Sequence, residues 1–284
     1  MILNGKLLAD KIIIELKEKI NRSFLQVQRA PKLAIIQVGN NLASNSYIKS
    51  KILRGKQSGI LVELHRFEDD VQQREILQFL ETLNSDPSVD GIIIQQPLPP
   101  SLNIKELMNH IDYNKDADGF SNYNAGKLFL GETAIRPATP FGIILLLKEY
   151  NINVTGLNAC VIGRSNIVGM PIAKMLLDLN ATVTICHSKT KNLSLHTKKA
   201  DLIICAIGQP KFLTAEMVKK GCIIIDVGIN RLEGNLVGDV DYEALVKKAS
   251  FITPVPGGVG PLTVVSLLSN TYQLYCLHNN LKFN

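Results

Sequence analysis

The run Ala159-Cys-Val-Ile-Gly-Arg-Ser-Asn-Ile-Val-Gly-Met-Pro171 constrains the fold more than any other stretch of the chain. Short apolar residues lead into Gly163, polar residues follow, and a helical pattern starts near Ile167, which is the order of strand, turn and helix in a nucleotide-binding crossover. Such a turn favours an anion, because helix-opening amides and the positive end of the helix dipole both face it. Arg164 adds a full positive charge. Ser165 stands where the second glycine of G-x-G-x-x-G belongs and Gly169 closes the motif late, so a purely structural strand-to-helix turn satisfies the same residues.

The pattern on either side repeats this alternation. Leu7, Leu8, Ile12, Ile13, Leu16 and Ile20 recur at helical spacing between Lys6 and Gln26, and Lys32–Val38 reads as a strand. A helix is predicted from Ser44, as N-cap, to Gln57. A strand at 60–67, a helix at 71–84 and a strand at 91–95 follow. Strands alternating with helices imply crossovers and a parallel sheet. Residues 112–124 read as irregular and Arg136-Pro-Ala-Thr-Pro140 as a linker before a helix at 141–150. A second α/β series has strands at 159–162, 182–186, 202–206 and 222–227, and a helix at 167–179. It ends at Thr253-Pro-Val-Pro-Gly-Gly-Val-Gly-Pro261, an amide-rich loop before a last helix at 262–277. A chain of 284 residues is expected to form two domains.

Composition narrows the function. With 31 basic against 25 acidic residues the formal net charge is +6, but the two signs are mixed and only 6% of residues are aromatic, which argues against a nucleic-acid surface. No apolar run approaches the roughly 18 residues a membrane span needs, and the start of the chain is neither a signal nor a transit peptide. A cytoplasmic protein is expected. Cys160, Cys186, Cys205 and Cys222 sit in apolar runs and read as reduced core residues, and no ligand spacing predicts a metal.

Several residues could carry chemistry. Tyr47 and Lys51, four apart on a predicted helix, project from one face. Short-chain dehydrogenases carry a Tyr-x-x-x-Lys motif after the glycine loop, whereas here it lies 163 − 47 = 116 positions before it. Gln95 ends an otherwise apolar strand, and ligands of open α/β sheets bind at the carboxyl ends of strands. Asn114-Lys-Asp-Ala-Asp-Gly119 begins like a calcium loop, but its twelfth position is Ala125, not the required Glu. Asp118 is therefore either a turn residue or a carboxylate aimed at a ligand.

Tyr47-x-x-x-Lys51, Gln95-x-Pro-Leu-Pro, Lys115-Asp-Ala-Asp-Gly-Phe120, Pro137-Ala-Thr-Pro140, Gly163-Arg-Ser-x-Ile-Val-Gly-x-Pro171 and Pro254-Val-Pro-Gly-Gly-Val-Gly-Pro261 occur in this order over nearly the whole chain. Together they resemble the bifunctional methylenetetrahydrofolate dehydrogenase/methenyltetrahydrofolate cyclohydrolases. Departures from the family's usual residues are Leu42, Gln96, Ser121, Asn122 and Ala138. The resemblance implies an α/β protein of two domains. Residues 1–140 plus about 262–284 would form a folate-binding catalytic domain, to which the C-terminal helix returns. Residues 141–261 would form a Rossmann-type NADP-binding domain. It also implies a homodimer acting on one-carbon derivatives of tetrahydrofolate, with or without a polyglutamate tail.

On that resemblance Lys51 is the proton-transfer group of the hydrolysis, Gln95 its hydrogen-bond partner, Tyr47 a flat face against the folate, and Asp118 a carboxylate for the pterin's donor edge. Gly163, Arg164, Ser165, Val168, Gly169, Ser188 and Ile229 are the expected cofactor contacts. Pro256, Gly257 and Gly258, with Tyr47, Gln95 and Asp118, are the expected substrate contacts. An NAD site places an acid roughly 20 residues past the turn. Here that region is His187-Ser-Lys-Thr190, without a carboxylate, so Arg164 and Ser188 point to the 2′-phosphate of NADP.

Overall fold

A computed structural model describes residues 1–283, and in it the chain forms two compact units. One consists of Asp10–Ala138 and the chain from Val264 onward; the other consists of Met1–Ala9 and Thr139–Thr263.

The first unit holds most of α1 (Gly5–Val27), then β1 (Lys32–Val38), α2 (Leu42–Ser58), β2 (Leu61–Phe67), α3 (Gln73–Ser85), β3 (Gly91–Ile94), α4 (Ile104–His110) and α5 (Asn122–Leu130). Its sheet has the order β2-β1-β3 and is wholly parallel. Strand β1 lies between the other two and is buried along almost its whole length, which is why Leu-Ala-Ile-Ile reads as a continuous apolar run. Along α1, Leu8, Ile13, Leu16 and Ile20 are buried as their spacing predicts, whereas Leu7 faces outward.

Ser44 is not the N-cap expected of it. Helix α2 begins two residues earlier, and Asn41 Oδ1 accepts the Ser44 amide at 3.1 Å. Residues 112–124 are less irregular than their polarity suggested. Ser121 accepts the Asn124 amide and starts α5, which stops at Gly131 in the left-handed conformation.

The second unit contains α6 (Ala138–Glu149), β4 (Asn158–Ile162), α7 (Gly169–Asp178), β5 (Thr182–Cys186), α8 (Leu193–Thr197), β6 (Leu202–Cys205) and β7 (Ile223–Asp226). The hairpin β8 (Asn230–Leu232)–β9 (Asn235–Val237), α9 (Tyr242–Leu245) and β10 (Phe251–Ile252) complete it. Its parallel sheet has the order β10-β7-β6-β4-β5. The chain turns from β4 to β5 on one side and later to β6 on the other, so the carboxyl end of β4 is the switch point where such sheets bind ligands.

Arg136–Pro140 is not wholly a linker, since Ala138, Thr139 and Pro140 already form the first turn of α6. Proline is well tolerated there, because an opening turn has no partner for its amide. All five cysteines are free and buried, and the Cys160 and Cys186 sulfurs pack 3.7 Å apart. The first residues join this unit by extending its edge: Ile2 bridges Ile252 in parallel, and the Leu3 amide donates to the Ile252 carbonyl at 2.8 Å.

The last helix, α10 (Val259–His278), carries the chain back to the first unit. Its apolar residues Val264, Val265, Leu267, Leu268, Leu274 and Tyr275 are buried there. Asn270 donates to the carbonyls of Ala117 and Arg136, at 2.9 and 2.8 Å. Below it Asp90, with no exposed surface, accepts both Arg29 Nη atoms at 2.7 Å, the Lys32 amide at 2.9 Å and a contact from His278 at 3.2 Å. Burial alone would push the Asp90 carboxyl up; Arg29 and His278 outweigh it and hold it below the usual carboxylate range.

Candidate functional site

In the three-stranded unit, four predicted residues converge at the carboxyl end of the sheet. Helix α2 presents Tyr47 and Lys51 one turn apart, with Ile48 between them anchored in the core at 1% exposed. Gln95 follows the last residue of β3. The segment leading to Asp118 runs beside β3 as a short parallel bridge: the Ile92 amide donates to Lys115 O at 2.7 Å, and the Ala117 amide donates to Ile92 O at 3.4 Å. Asp118 thus leaves the sheet at the same end as Gln95. Lys115, although in a polar run, turns its amine inward to the carbonyls of Leu83 and Asp86.

Lys51 Nζ donates to Gln95 Oε1 at 2.9 Å. The orientation of that amide is fixed, because Gln95 Nε2 donates to the Gln96 carbonyl at 2.7 Å, leaving its oxygen for the lysine. The same carbonyl accepts Ser44 Oγ at 3.1 Å, tying α2 to the Gln95 loop. Sequence reading placed Ser44 at a helix start; nothing in the spacing signals that its hydroxyl reaches 52 residues ahead.

Lys51 is only 8% exposed, and burial lowers its pKa from that of an ordinary lysine, while nearby Asp118 pulls the other way. Burial pushes the Asp118 carboxyl up to about 6, Lys51 draws it down, and Asp116 raises it further. Tyr47 is half-buried and its phenol is raised by burial. A scarcely hydrated amine with a lowered pKa and one fixed acceptor gives up its proton more readily than an ordinary lysine, which suits it to proton transfer. The half-buried carboxyl beside it can accept from or donate to a ligand.

The remaining candidates lie in the five-stranded unit. Gly163 leaves β4 with φ +121°, where a Cβ would overlap the Ala206 carbonyl oxygen; at Gly169 a Cβ would overlap the carbonyl of Gly163. Both glycines are therefore required for the turn to close. Ser165 Oγ accepts the amides of Val168 and Gly169 at 3.2 and 3.4 Å, at the start of α7.

Ile162 and Cys186 are register partners on β4 and β5, so Arg164 and Ser188, each two residues further on, leave neighbouring strands at the same end; both are exposed. Residues 187–190 form a tight turn, closed by the Thr190 amide on the His187 carbonyl at 2.8 Å. Ile229 follows β7, is 45% exposed, and approaches the position a Cβ would occupy on Gly260 to 3.6 Å. The Pro254–Gly260 loop is held from below by the Lys6 amide, which donates to Gly257 O at 3.0 Å. Gly257 has φ +102° and Pro256 is exposed.

These features fit a dinucleotide phosphate: a turn only glycine can close, a helix of ten residues opening onto it, and an exposed guanidinium and hydroxyl on adjacent strands. Among the described residues no group of three or more His, Cys, Asp or Glu could hold a metal ion, and no helix is long and apolar enough to cross a membrane.

Comparison with known proteins agrees with this division of chemistry. Residues 3–118 match the tetrahydrofolate dehydrogenase/cyclohydrolase catalytic domain, and residues 137–279 match the NAD(P)-binding domain of the same family. The bifunctional protein FolD of Campylobacter curvus is 51% identical over 273 residues, covering 96% of this chain and 94% of that protein. The crystal structure of the bifunctional methylenetetrahydrofolate dehydrogenase/cyclohydrolase FolD from Campylobacter jejuni superposes with a TM-score of 0.95 at 48% identity, covering 99% of each chain. The Trypanosoma brucei methylenetetrahydrofolate dehydrogenase-cyclohydrolase, solved with NADP cofactor and an inhibitor, superposes with a TM-score of 0.93 at 31% identity, covering 97% of each. The chain belongs to the tetrahydrofolate dehydrogenase/cyclohydrolase family.

Proposed function

We propose that the protein oxidises 5,10-methylenetetrahydrofolate to 5,10-methenyltetrahydrofolate with NADP and then hydrolyses the product to 10-formyltetrahydrofolate. The observation that carries this reading is the buried Lys51 amine, hydrogen-bonded to Gln95 and electrostatically coupled to Asp118. NADP, when bound, supplies the hydride acceptor. The oxidation leaves a cation that two flanking folate nitrogens stabilise, so the chain need only orient the folate for that step. Hydrolysis differs, because water adds to the methenyl carbon and loses a proton while the carbon–nitrogen bond to the ring breaks and that nitrogen gains one.

Neutral Lys51 takes one proton from the attacking water and returns it to the departing nitrogen, and the remaining hydroxyl proton passes to solvent as the formyl C=O forms, so the hydrolysis of the cation releases one proton overall. Gln95 fixes where the amine points. Tyr47 lies against the folate, Asp118 pairs with the pterin's adjacent ring N–H and amino group, and Pro256, Gly257 and Gly258 let backbone approach the reacting region. Gly163, Ser165, Val168 and Gly169 would hold the diphosphate of NADP, Ile229 would pack on the cofactor, and Arg164 with Ser188 would read the 2′-phosphate.

In this reading residues 1–140 with about 262–284 form the folate domain and 141–261 the NADP domain, except that the first nine residues pack with the five-stranded unit, in a cytoplasmic homodimer. Five free, buried cysteines support a reducing compartment. Absorbance of the methenyl-folate band tests the whole proposal: appearance followed by decay is expected. A band that persists reduces the protein to a dehydrogenase, and silence makes it a cofactor-binding module. Light scattering of the purified chain tests the dimer.

A further inference from the structure

Asp239 has no exposed surface and lies outside every motif used so far. Its Oδ2 accepts the amides of Ile207 and Gly208 at 2.7 and 2.9 Å, and its Oδ1 accepts the Gln209 amide and Asn230 Nδ2, both at 2.9 Å. Three successive amides converging on one carboxyl group, with Gly208 at φ +67°, form the concave nest that elsewhere binds phosphate. Here the chain fills the nest itself.

The position of that nest matters. It follows β6, and Ala206, the residue before it, touches the glycine turn so closely that a Cβ on Gly163 would overlap its carbonyl. Asn230 follows Ile229 and opens β8, and Gly228 of the loop between β7 and β8 packs so tightly on Asp239 that no side chain would fit between them. Asp239 therefore ties together the loops after β6 and β7 and, through Ala206, backs the turn after β4.

Asp239 is itself held. Asp226, at the end of β7, accepts the Asp239 and Val240 amides at 2.9 and 3.1 Å and the Gly228 amide at 3.0 Å. The Asp226 amide in turn donates to Thr253 Oγ1 at 2.7 Å, at the root of the Pro-Gly loop.

We propose that Asp239 is the positioning residue of the cofactor site: it occupies the anion nest after β6 and sets the Ile229 loop, so that the dinucleotide phosphates are directed to the Gly163–Gly169 turn rather than to the amides of residues 207–209. This rests on the functional reading above, and its effect falls on NADP affinity rather than on Lys51.

The test compares the parent enzyme with Asp239→Ala and Asn230→Ala, using the Kd for NADP by calorimetry, the KM for NADP in the oxidation, and cyclohydrolase activity supplied with methenyl-folate and no NADP. Loss of hydrogen bonds to a charged group predicts that Asp239→Ala raises Kd and KM for NADP roughly tenfold or more. Cyclohydrolase activity should stay within about twofold of the parent, the spread expected for independent sites. Formate, which restores the missing carboxylate, should bring Kd back toward the parent value. Asn230→Ala should raise Kd less, with no response to formate. Parental NADP affinity in Asp239→Ala, or a proportional fall of both activities that formate does not relieve, overturns the proposal. If Asp239→Ala does not fold, Asn230→Ala decides: a raised Kd supports the assignment and a parental Kd removes it. A parent that binds NADP but does not oxidise the folate would refute the functional reading alone, and the binding data would still judge Asp239.

Discussion

Replacing Lys51 with Met separates the two proposed activities. Methionine keeps much of the side chain's length and apolar stem but has no proton to exchange. General acid–base groups are worth about 10²- to 10⁴-fold, so cyclohydrolase activity should fall by that factor. Hydride transfer, which needs no protein acid or base, should remain measurable. The cost in stability is small because two effects oppose. Leaving Gln95 Oε1 without its donor costs about 1–3 kcal/mol, while removing an amine that is only 8% exposed relieves its desolvation. A net change near 1 kcal/mol moves Tm by about 2–4 °C in a chain of this size.

The pH behaviour gives a second readout. Burial lowers the Lys51 pKa, so parental cyclohydrolase activity should rise as pH climbs through that lowered value and be lost below it. Asp118 is raised to about 6, and it is Lys51 that draws it down; in Lys51→Met its carboxyl should titrate higher still. For stability the signs are opposite. The contribution of Asp118 is present below 3.8 and lost as pH rises through about 6, whereas that of Lys51 is present above 10.5 and lost as pH falls through its lowered value. The assay is the methenyl band, which should appear and persist. Equal loss of both activities, or unchanged decay of the band, would refute the division of labour.

Arg164→Ala combined with Ser188→Ala should lower the preference for NADP over NAD by roughly ten- to a hundredfold, since each removes a contact to a phosphate; steady-state comparison of the two cofactors checks this, and NAD preferred by the parent would sink the assignment. Gly163→Ala forces a Cβ onto the Ala206 carbonyl at φ +121°, so NADP binding should be lost and Tm should drop by several degrees, read by calorimetry with and without cofactor. Asp90→Ala removes the buried acceptor of the partly exposed Arg29 and of the Lys32 amide in the first unit and should cost about 1.5–3 kcal/mol in denaturant unfolding. A change below about 1 kcal/mol would mean that Asp90 does not hold α10 to that unit.

How much of this was legible in the sequence differs from element to element. The strands were plain because parallel sheets bury both faces: Leu-Ala-Ile-Ile in β1 and Ile-Ile-Ile in β3 and β7 have no polar alternation to confuse them. Short helices were hidden by their own chemistry. In α5, Asn122-Tyr-Asn reads as loop, yet Ser121 caps the helix and Asn124 is buried, donating to Asp116 at 3.0 Å and to the Tyr113 carbonyl at 3.2 Å. The start of helix α2 is obscured for a similar reason, since a serine suits an N-cap but Asn41 takes that role.

The site divides along the same line. Tyr47 and Lys51 share a helix face by spacing alone, and the Gly163 turn follows from the strand and glycine pattern. Pairing Lys51 with Gln95 is a contact across 44 positions, and the bonds that orient Gln95 come from Ser44 and a main-chain carbonyl. Asp239 marks the limit most clearly. In sequence it is one acid in Gly-Asp-Val-Asp, and it gains its place only because parallel strands β6 and β7 set two loops side by side around it. Groups that touch ligand recur in motifs with fixed local spacing, because chemistry fixes their order. Groups that hold those motifs still are chosen by the packing of distant segments, and only the folded chain brings them together.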